Sequence, residues 1–309
     1  MLTVSPWRFH PDVGAWTVLA LVALAYGYSV GRHGGATRRQ IASAVGAFVL
    51  ALVALSWPLA ELAAHTSLTA LVVQRVLLLL AVPPLALAAV PAPLMARLTR
   101  PAALDWTLRR CSRPTVAVVV VTLVAVATLT TPAVEAEGSS GWARAGLDLV
   151  LLAAGVVLWA PVSPQLPATD RPSALGRAGY LIVQSVVPSF LAIVWIFARH
   201  PLYPHFAAGP RIFHVSPLLD QQLAGFVAKF VTIAVLWGVA FVGLAKAQHA
   251  LSQGQDPDPL LWSDVERHLE RAERRARRRA WLPPRADDHW TGLNDGVDPD
   301  RQHRREDRA

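Results

Sequence analysis

The sequence predicts an all-α integral membrane protein, a bundle of seven transmembrane helices with its N-terminus outside and its C-terminus in the cytoplasm. Three observations predict this fold: a composition that is 53% hydrophobic and only 16% charged, apolar stretches of membrane-spanning length, and arginine that alternates between successive loops. Most of the charge lies outside the apolar stretches, so we expect no second, soluble core. The transmembrane domain is placed in residues 1–250.

Seven apolar stretches of about 17 to 24 residues are long enough to cross a hydrocarbon core of about 30 Å, at a rise of roughly 1.5 Å per residue. In chain order they are Val13–Ser29, Ile41–Trp57, Leu68–Val90, Thr115–Thr131, Ala145–Val162, Ala178–Ala198 and Gln221–Leu244. The residues before the first stretch are barely cationic and its positive flank follows it. This stretch is therefore predicted to be a retained helix and not a secretory signal.

Arginine is concentrated in every second loop. The first, third and fifth loops carry Arg32, Arg38, Arg39, Arg97, Arg100, Arg109, Arg110, Arg113, Arg171 and Arg177. The N-terminal segment and the other loops carry Arg8, Arg144, Arg199 and Arg211, together with Glu61, Glu135 and Glu137. Because cationic loops resist translocation, the arginine-rich loops are predicted to lie inside. The single cysteine, Cys111, falls in one of them, which excludes an intramolecular disulfide and a thiolate metal cage.

Ionisable side chains in or near the stretches are candidates for a polar pocket that opens to the outside. A charge near the bilayer centre costs at least about 2.5 to 3.5 kcal/mol on insertion scales, so such groups usually face the bundle interior and have partners. The candidate pocket residues are Glu61, Arg75, Asp148, Asp220 and Lys229. The alternative is a set of helix-end charges that snorkel to the interface, although Lys229 lies about 13 Å inside the outer boundary.

At that depth Lys229 is expected to be neutral or paired with a carboxylate. Asp220 lies nine residues before it, on the opposite side of the same helix, so it is not the predicted partner. We predict instead that Asp148 pairs with Lys229 and that Glu61 neutralises Arg75.

The segment ARHPLYPHFAAGPRIFHVSPLLDQQLAG, between the sixth and seventh stretches, is rich in His, Tyr, Pro and Phe. Its His200, His205 and His214, with His65 at the outer end of the second stretch, offer imidazoles that suit a borderline or soft metal such as copper. A lone interfacial histidine is more often solvated or part of an aromatic belt. The sequence therefore leaves a metal site and a plain interface as two interpretations.

This segment also carries a family resemblance. PLYPHF followed by SPLLDQQLAG resembles the signature of the CtaG-type cytochrome c oxidase assembly proteins, seven-helix membrane factors of bacteria. WPLAELAAHTSLTALVVQRVLLLLAVPPLALAAVPAPL, with its double proline, and the interval from Trp159 to Phe197 are also similar to that family. The residues that match its last motif are Tyr203, Pro204, Asp220, Gln221, Gln222 and Gly225.

The resemblance covers roughly residues 10 to 270. It implies a multi-pass protein of the bacterial cell membrane that assists assembly of a haem-copper cytochrome c oxidase, with the oxidase subunits as partners. The assistance would be copper delivery or a scaffold for the catalytic subunit. A polytopic transporter or channel, including one for copper, is the main alternative.

The chain departs from the family pattern where the resemblance implies copper. The family commonly shows a histidine before Met-x-Gln in the third helix, often with another histidine just after the glutamine. Here Gln74 and His65 match family positions, but Leu71 and Arg75 stand in place of the two histidines. A metal site that needs two imidazoles at helical spacing cannot form on this helix, and the guanidinium of Arg75 would repel a cation. The resemblance therefore implies copper, whereas Leu71 and Arg75 oppose it. No other cofactor is expected.

Beyond the last stretch, residues 251–282 are predicted to form a cytoplasmic basic amphipathic helix that begins at a capping box, Ser263 and Glu266. It would lie on the anionic inner leaflet or be a solvated charged helix. Residues 283–309 are predicted to be disordered. The net charge of +8 comes largely from this tail, so it does not indicate a nucleic-acid partner.

Three other function classes, a transporter, a photoreceptor and an enzyme, have less support from the sequence. A transporter would need a polar path to the cytoplasm, and the inner halves offer only scattered groups such as Gln184. A retinal photoreceptor could use Lys229 for a Schiff base, but its acidic counter-ion usually stands on the third helix, which here offers Arg75. No enzyme is predicted, because the stretches contain no paired carboxylates, nucleophile with base or phosphate loop.

Overall fold

The computed structural model describes residues 12–32, 35–164, 166, 172–209, 215–255 and 273, and all regular secondary structure in this part of the chain is helical. The helices are α1 (Val13–Arg32), α2 (Arg38–Leu55), α3 (Leu59–His65), α4 (Leu68–Val76), α5 (Val82–Ala89), α6 (Ala92–Leu98), α7 (Ala102–Cys111), α8 (Pro114–Ala127), α9 (Thr131–Ser139), α10 (Gly141–Trp159), α11 (Ala174–Phe197), α12 (Pro204–Ala208) and α13 (Pro217–Ser252), with a π-helical turn, Leu77–Ala81, between α4 and α5. They belong to one compact unit, Met1–Pro257.

Apart from residues 251–255 and 273, the predicted basic helix of residues 251–282 and the predicted tail of residues 283–309 lie outside the described residues. Both therefore stay predictions.

Within the described residues, six helical segments are long and apolar enough to cross a membrane, which fits a multi-pass membrane protein. They are Val13–Arg32, Arg38–His65, Leu68–Ala89, Gly141–Trp159, Ala174–Phe197 and Pro217–Ser252. The remaining predicted stretch, Thr115–Thr131, corresponds to α8, which has 14 residues. It reaches spanning length only together with α7, and these two helices are bent by 91°. The all-α membrane architecture is confirmed, whereas the count of seven spans and the orientation of the termini remain predictions.

Several helices begin a few residues earlier than apolarity alone predicts. Polar caps explain the difference: the side chains of Ser140, Ser173 and Ser216 each accept a hydrogen bond from a backbone N–H in the first turn of α10, α11 and α13. Thr37 forms a full capping box with Gln40 at the start of α2. A capped first turn satisfies N–H groups that have no partner within the helix. The helices therefore start at their caps and not at their first apolar residues.

The third predicted stretch is interrupted where its two prolines lie. Pro83 has no N–H, so the carbonyl oxygen of Leu79 loses its α-helical donor, and the chain passes through the π-helical turn. The indole Nε1 of Trp159, on α10, donates to this carbonyl oxygen at 3.3 Å. Gly155 makes the approach possible, because a Cβ there would lie 2.8 Å from the Leu79 oxygen and would overlap Pro83. The break in α4–α5 is thus sealed by a neighbouring helix, as bundles in lipid require.

The helices pack around two main groups of buried apolar residues. One lies toward the end predicted to be inner and includes Leu158, Leu181 and Leu236. The other lies at the end predicted to be outer and includes Leu68, Leu71, Trp195, Tyr203 and Phe206. Helix α13 packs mainly on α11 and α4. The polar residues of the outer end lie next to this second group.

Candidate functional site

Seven ionisable residues gather where α3, α4, α9, α10 and α12 meet, at the end of the bundle predicted to be outer. We call them the outer cluster: Glu61, His65, Arg75, Glu137, Arg144, Asp148 and His205. Five of them, Glu61, His65, Arg75, Asp148 and His205, were predicted from the sequence as pocket or metal residues on separate grounds. Sequence reasoning did not identify the other two members, Glu137 and Arg144, as site residues.

The most buried contact of the outer cluster is an ion pair between α4 and α9. Arg75 Nη2 lies 2.8 Å from Glu137 Oε2, and the side chains are only 7% and 4% exposed. The prediction that Glu61 neutralises Arg75 is therefore wrong. Helix α9, which follows α8, carries Glu137. Glu61 lies on α3, where its carboxylate is near His65 and Arg144. Arg75 Nε and Nη1 have no hydrogen-bond partner among the described residues.

Burial raises the pKa of the Glu137 carboxyl above its ordinary value, although the adjacent Arg75 and Arg144 guanidinium groups oppose that rise. Burial therefore disfavours the charged form of Glu137 more than exposure at the surface would. The charge-assisted hydrogen bond from Arg75 stabilises the buried carboxylate of Glu137.

A second, more exposed group surrounds His65. Arg144 Nη2 donates to His65 Nε2 at 3.2 Å, and Arg144 Nη1 lies 4.0 Å from Glu61 Oε2. Glu61 Oε1 lies 3.8 Å from the same His65 nitrogen, which is too far for a hydrogen bond. Because a guanidinium has only donors, Nε2 of His65 acts as an acceptor. The ring is thus neutral in this arrangement and its Nε2 lone pair is occupied.

His205 is the second histidine of the outer cluster. Its ring centroid lies 6.5 Å from that of His65, and its Nε2 donates to the carbonyl oxygen of Ala64 at 2.7 Å. Gly138, on α9, allows this: a Cβ there would lie 2.6 Å from His205 Cε1 and 3.1 Å from the Ala64 oxygen. The space occupied by the imidazole is therefore available only next to glycine.

The four predicted metal ligands do not come together as a set. His65 and His205 are neighbours, His200 is exposed on the connection between α11 and α12, and His214 lies outside the described residues. In the described part of the chain, no three His, Cys, Asp or Glu side chains are grouped closely enough to hold a metal ion.

The residues present in the third span do not fit copper. Leu71 is 1% exposed and packs in the apolar core, and Arg75 is paired with Glu137. His65 already accepts a hydrogen bond from a cationic guanidinium, which disfavours a second cation at the same nitrogen. His205 uses Nε2 as a donor to a backbone carbonyl.

The other predicted pocket residues have separate roles. Asp148, on α10, lies within electrostatic range of Glu137, Arg144 and Arg75. Lys229 is half-buried, and its Nζ lies 5.8 Å from the centre of the Phe230 ring. The predicted ion pair between Asp148 and Lys229 is wrong, because both residues are described and no salt bridge joins them. Helix α13 packs mainly on α11 and α4, so Lys229 is not presented to α10.

Asp220 joins two helices by their N-terminal ends. Its carboxylate accepts hydrogen bonds from Ser67 Oγ at 2.7 Å, from Leu68 N at 2.7 Å and from Thr69 N at 3.4 Å. The Thr69 hydroxyl donates back to the Asp220 carbonyl oxygen at 2.8 Å. A carboxylate at this place satisfies the free N–H groups of α4 and complements its dipole. Asp220 therefore caps α4 and fixes α13 against it.

The remaining motif residues hold the connection between α11 and α13. Gln221 accepts from the Leu202 N–H at 2.7 Å, and Gln222 Nε2 lies 3.5 Å from the Ala198 oxygen. The Tyr203 hydroxyl donates to the Leu129 carbonyl oxygen at 2.6 Å, and Pro204 begins α12. A Cβ at Gly225 would lie 2.8 Å from the Ala192 oxygen, so glycine lets α13 approach α11. The motif residues thus hold the connection that carries His205 in a fixed position.

Below Arg75 the bundle contains a cavity of about 80 Å³. Most of its lining is apolar, from α4, α8, α10, α11 and α13, and its polar members include Arg75, Gln184 and Thr232. Gln184 is 1% exposed, and its Oε1 has no hydrogen-bond partner among the described residues. Arg75 and the buried amide of Gln184 therefore line the same, mainly apolar cavity.

The chain matches the family model described as cytochrome c oxidase caa3 assembly factor (Caa3_CtaG) over residues 22–248. No curated protein and no solved structure matches it. The match includes the whole outer cluster, the motif residues and the capping contacts of Asp220. Since it extends over more than half of the chain, this protein belongs to the cytochrome c oxidase caa3 assembly factor family.

Proposed function

We propose that this protein is a scaffold of the bacterial plasma membrane that binds the catalytic subunit of a haem-copper cytochrome c oxidase during its assembly. Membership of the assembly factor family supports the link to the oxidase and a non-catalytic role. The observation that carries the choice of scaffold over copper delivery is the buried Arg75–Glu137 ion pair. It occupies the helix position at which the family resemblance implies a histidine.

The proposal includes seven spans, with α8 as the fourth, an outer N-terminus and a cytoplasmic C-terminus. The alternation of arginine between loops supports this orientation. In it, the outer cluster faces the side opposite the arginine-rich loops. The tail of residues 251–309 would then lie in the cytoplasm, where its arginines would contact the anionic inner leaflet.

The chain's own residues prepare a fixed outer surface. The Arg75–Glu137 pair joins α4 to α9, the Asp220 carboxylate joins α13 to α4, and the Tyr203 hydroxyl joins α12 to the end of α8. Glu61 and His65 remain partly exposed above this frame, at 27% and 38%. Preformed polar groups on a rigid frame bind a partner without a large ordering cost. These two side chains and Arg144 are the proposed contact to the oxidase subunit.

Copper delivery is the second candidate. The approach of the His65 and His205 rings to 6.5 Å is the observation in its favour, and the donors and charges around both rings argue against it. A transporter or channel is a third possibility that the same experiment separates from the first two.

Gene deletion tests the proposal, followed by oxidase activity and haem spectra of the membranes and by complementation. We expect loss of oxidase, no rescue by added copper and restoration by the wild-type gene. A Glu137→Gln gene should restore poorly, and the matched control Glu135→Gln should restore fully, because Glu135 is exposed on the same helix. Rescue of the deletion by copper would support delivery instead. Unchanged oxidase would contradict both roles.

A further inference from the structure

A strongly basic segment links the third span to α8. Residues 97–113 contain Arg97, Arg100, Arg109, Arg110 and Arg113 and one acidic residue, Asp105, so five positive charges less one negative give +4. Asp105 Oδ2 pairs with Arg109 Nε at 2.7 Å. No residue of α7 is buried. This segment therefore presents a concentrated positive surface, and among the described residues only Asp105 pairs with one of its arginines.

The direction of α7 follows from its angle to α8. Helix α8 contains no charged residue, which suits the interior of a bilayer, whereas α7 contains two arginines and an aspartate. The two helices are bent by 91° at Ser112 and Arg113. A chain that crosses the bilayer in α8 therefore runs close to the membrane plane in α7. Its charges exclude α7 from the hydrocarbon core.

Helix α7 has two different faces. Leu104, Leu108 and Cys111 recur at spacings of four and three residues, so they share one side of the helix. Leu108 packs against the core beside α8, and Leu104, on the same side, is 43% exposed. Trp106 is 66% exposed and lies about 200° around the helix from Leu104, at roughly 100° per residue.

We propose that α7 lies in the plane of the membrane surface and binds anionic phospholipid headgroups. Leu104 reaches the acyl chains, the arginines of residues 97–113 contact phosphate oxygens, and Trp106 faces the water. A narrow apolar side flanked by arginine is the pattern of helices that lie on membranes. Guanidinium groups suit phosphate because they offer several donors in one plane. The proposal rests on the membrane topology and not on the oxidase role.

Spin labels on opposite sides of α7 test this placement. Replacement of Cys111, the only cysteine, by serine allows Leu104→Cys and Trp106→Cys to be labelled singly in the full chain. The protein is placed in nanodiscs of phosphatidylcholine, alone or mixed with phosphatidylglycerol. The collision rate of a label with oxygen is high among acyl chains. Its collision rate with a water-soluble nickel chelate is high in water. We expect oxygen to dominate at position 104 and nickel at position 106, and the label at 104 to lie deeper in the anionic discs.

Charge variants separate headgroup binding from a general effect of the bilayer. Arg109→Gln with Arg110→Gln should abolish the deeper position of the 104 label in anionic discs. The matched pair Arg109→Lys with Arg110→Lys keeps the charge and should retain most of it, as should Arg199→Gln on the opposite side of the protein. Thermal unfolding in detergent checks that each variant folds.

Three results would overturn the proposal. The first is equal nickel accessibility at positions 104 and 106, which would place α7 in water. The second is a label depth that ignores both the anionic lipid and the glutamine pair. The third is protection of both labels only when oxidase subunits are added, which would identify α7 as a protein-binding surface. The labels read depth and not side, so a wrong orientation or a wrong oxidase role would leave the result interpretable.

Discussion

Arg75 and Glu137 are 62 residues apart in sequence and form a buried ion pair with 2.8 Å between Nη2 and Oε2. Removing one member of such a pair strands a charge, at a cost of about 3 to 5 kcal/mol in the free energy of unfolding. We expect the single variant Glu137→Gln to cost more than the single variant Arg75→Met, because the guanidinium of Arg75 cannot lose its proton. The double variant Arg75→Met, Glu137→Gln should recover much of the loss. Unfolding in mixed micelles measures all three, and additive losses would contradict the pairing.

The Arg75→Met variant should have a distinctive pH dependence. Burial raises the pKa of Glu137 above 4.5 in the folded protein, so the folded state binds this proton more tightly than the unfolded state does. For an acid with a raised pKa, the stability contribution is present at low pH and is lost as pH rises. Without Arg75 this loss is opposed less strongly, because Arg75 is the larger of the two opposing guanidinium charges and only that of Arg144 remains nearby. The variant should therefore be closer to wild-type stability in mild acid than at neutral pH, and a parallel pH profile for both proteins would contradict the assignment.

Gly138 is expected to be essential for the position of His205. In Gly138→Ala the new Cβ would meet His205 Cε1 at 2.6 Å, and overpacking of this kind typically costs about 1 to 3 kcal/mol. The matched control is Gly146→Ala on α10, where a Cβ meets nothing within 4 Å. There the change should be neutral or slightly stabilising, because alanine favours a helix. If Gly138→Ala destabilises by this clash, adding His205→Ala should restore stability; a double variant as unstable as the single would place the strain elsewhere.

Asp220 is expected to contribute to stability through the first turn of α4. Asp220→Ala removes the acceptor for the N–H groups of Leu68 and Thr69 and for the Ser67 hydroxyl, and loss of a cap costs about 0.5 to 2 kcal/mol. Asp220→Asn keeps an acceptor oxygen and should cost less. Hydrogen exchange of the Leu68 amide should accelerate in the alanine variant. Unchanged exchange in both variants would show that Asp220 does not act as this cap.

The spans were predictable from sequence because their length and apolarity are local properties. The outer cluster was predictable only in part, because its decisive contacts join distant segments. Glu137 illustrates this: it lies in a polar segment that was assigned to a loop, although Thr131 and Pro132 are a usual start for a helix. Val134 and Glu137, three residues apart on α9, are both buried. That spacing was the available signal for a packed helix.

Lys229 and Asp220 show where depth arguments fail. The depth of Lys229 was correctly taken to require an explanation, but a helix that is apolar on all sides does not reveal which side faces its neighbours. Asp220 was assigned to a pocket because it is acidic and close to the membrane, while its partners Ser67, Leu68 and Thr69 are about 150 residues earlier in the chain. Only the packing of α13 on α4 brings them together.

The predicted orientation can be tested through Cys111. An impermeant thiol reagent should leave Cys111 unlabelled in intact cells and label it in opened membranes dispersed in detergent, which frees the apolar side of α7. In a Cys111→Ser background, Glu135→Cys and Arg199→Cys should be labelled in intact cells, because both positions are exposed and lie in loops predicted to be outside. Labelling of Cys111 in intact cells would contradict the orientation.

Copper is expected to bind this protein weakly, because the relevant positions of α4 are committed to other contacts. Leu71 lies in the apolar core and Arg75 is paired with Glu137. We expect the triple variant Leu71→His, Arg75→His, Glu137→Gln to retain more Cu(I) than the wild type against a chromogenic chelator. It places two imidazoles four residues apart on one side of a helix and leaves no unpaired carboxylate. The control Leu71→Asn, Arg75→Gln, Glu137→Gln removes the same ion pair without adding a ligand of this kind. Tight binding by the wild type that is lost in His65→Ala, His205→Ala would show that these two rings hold copper after all.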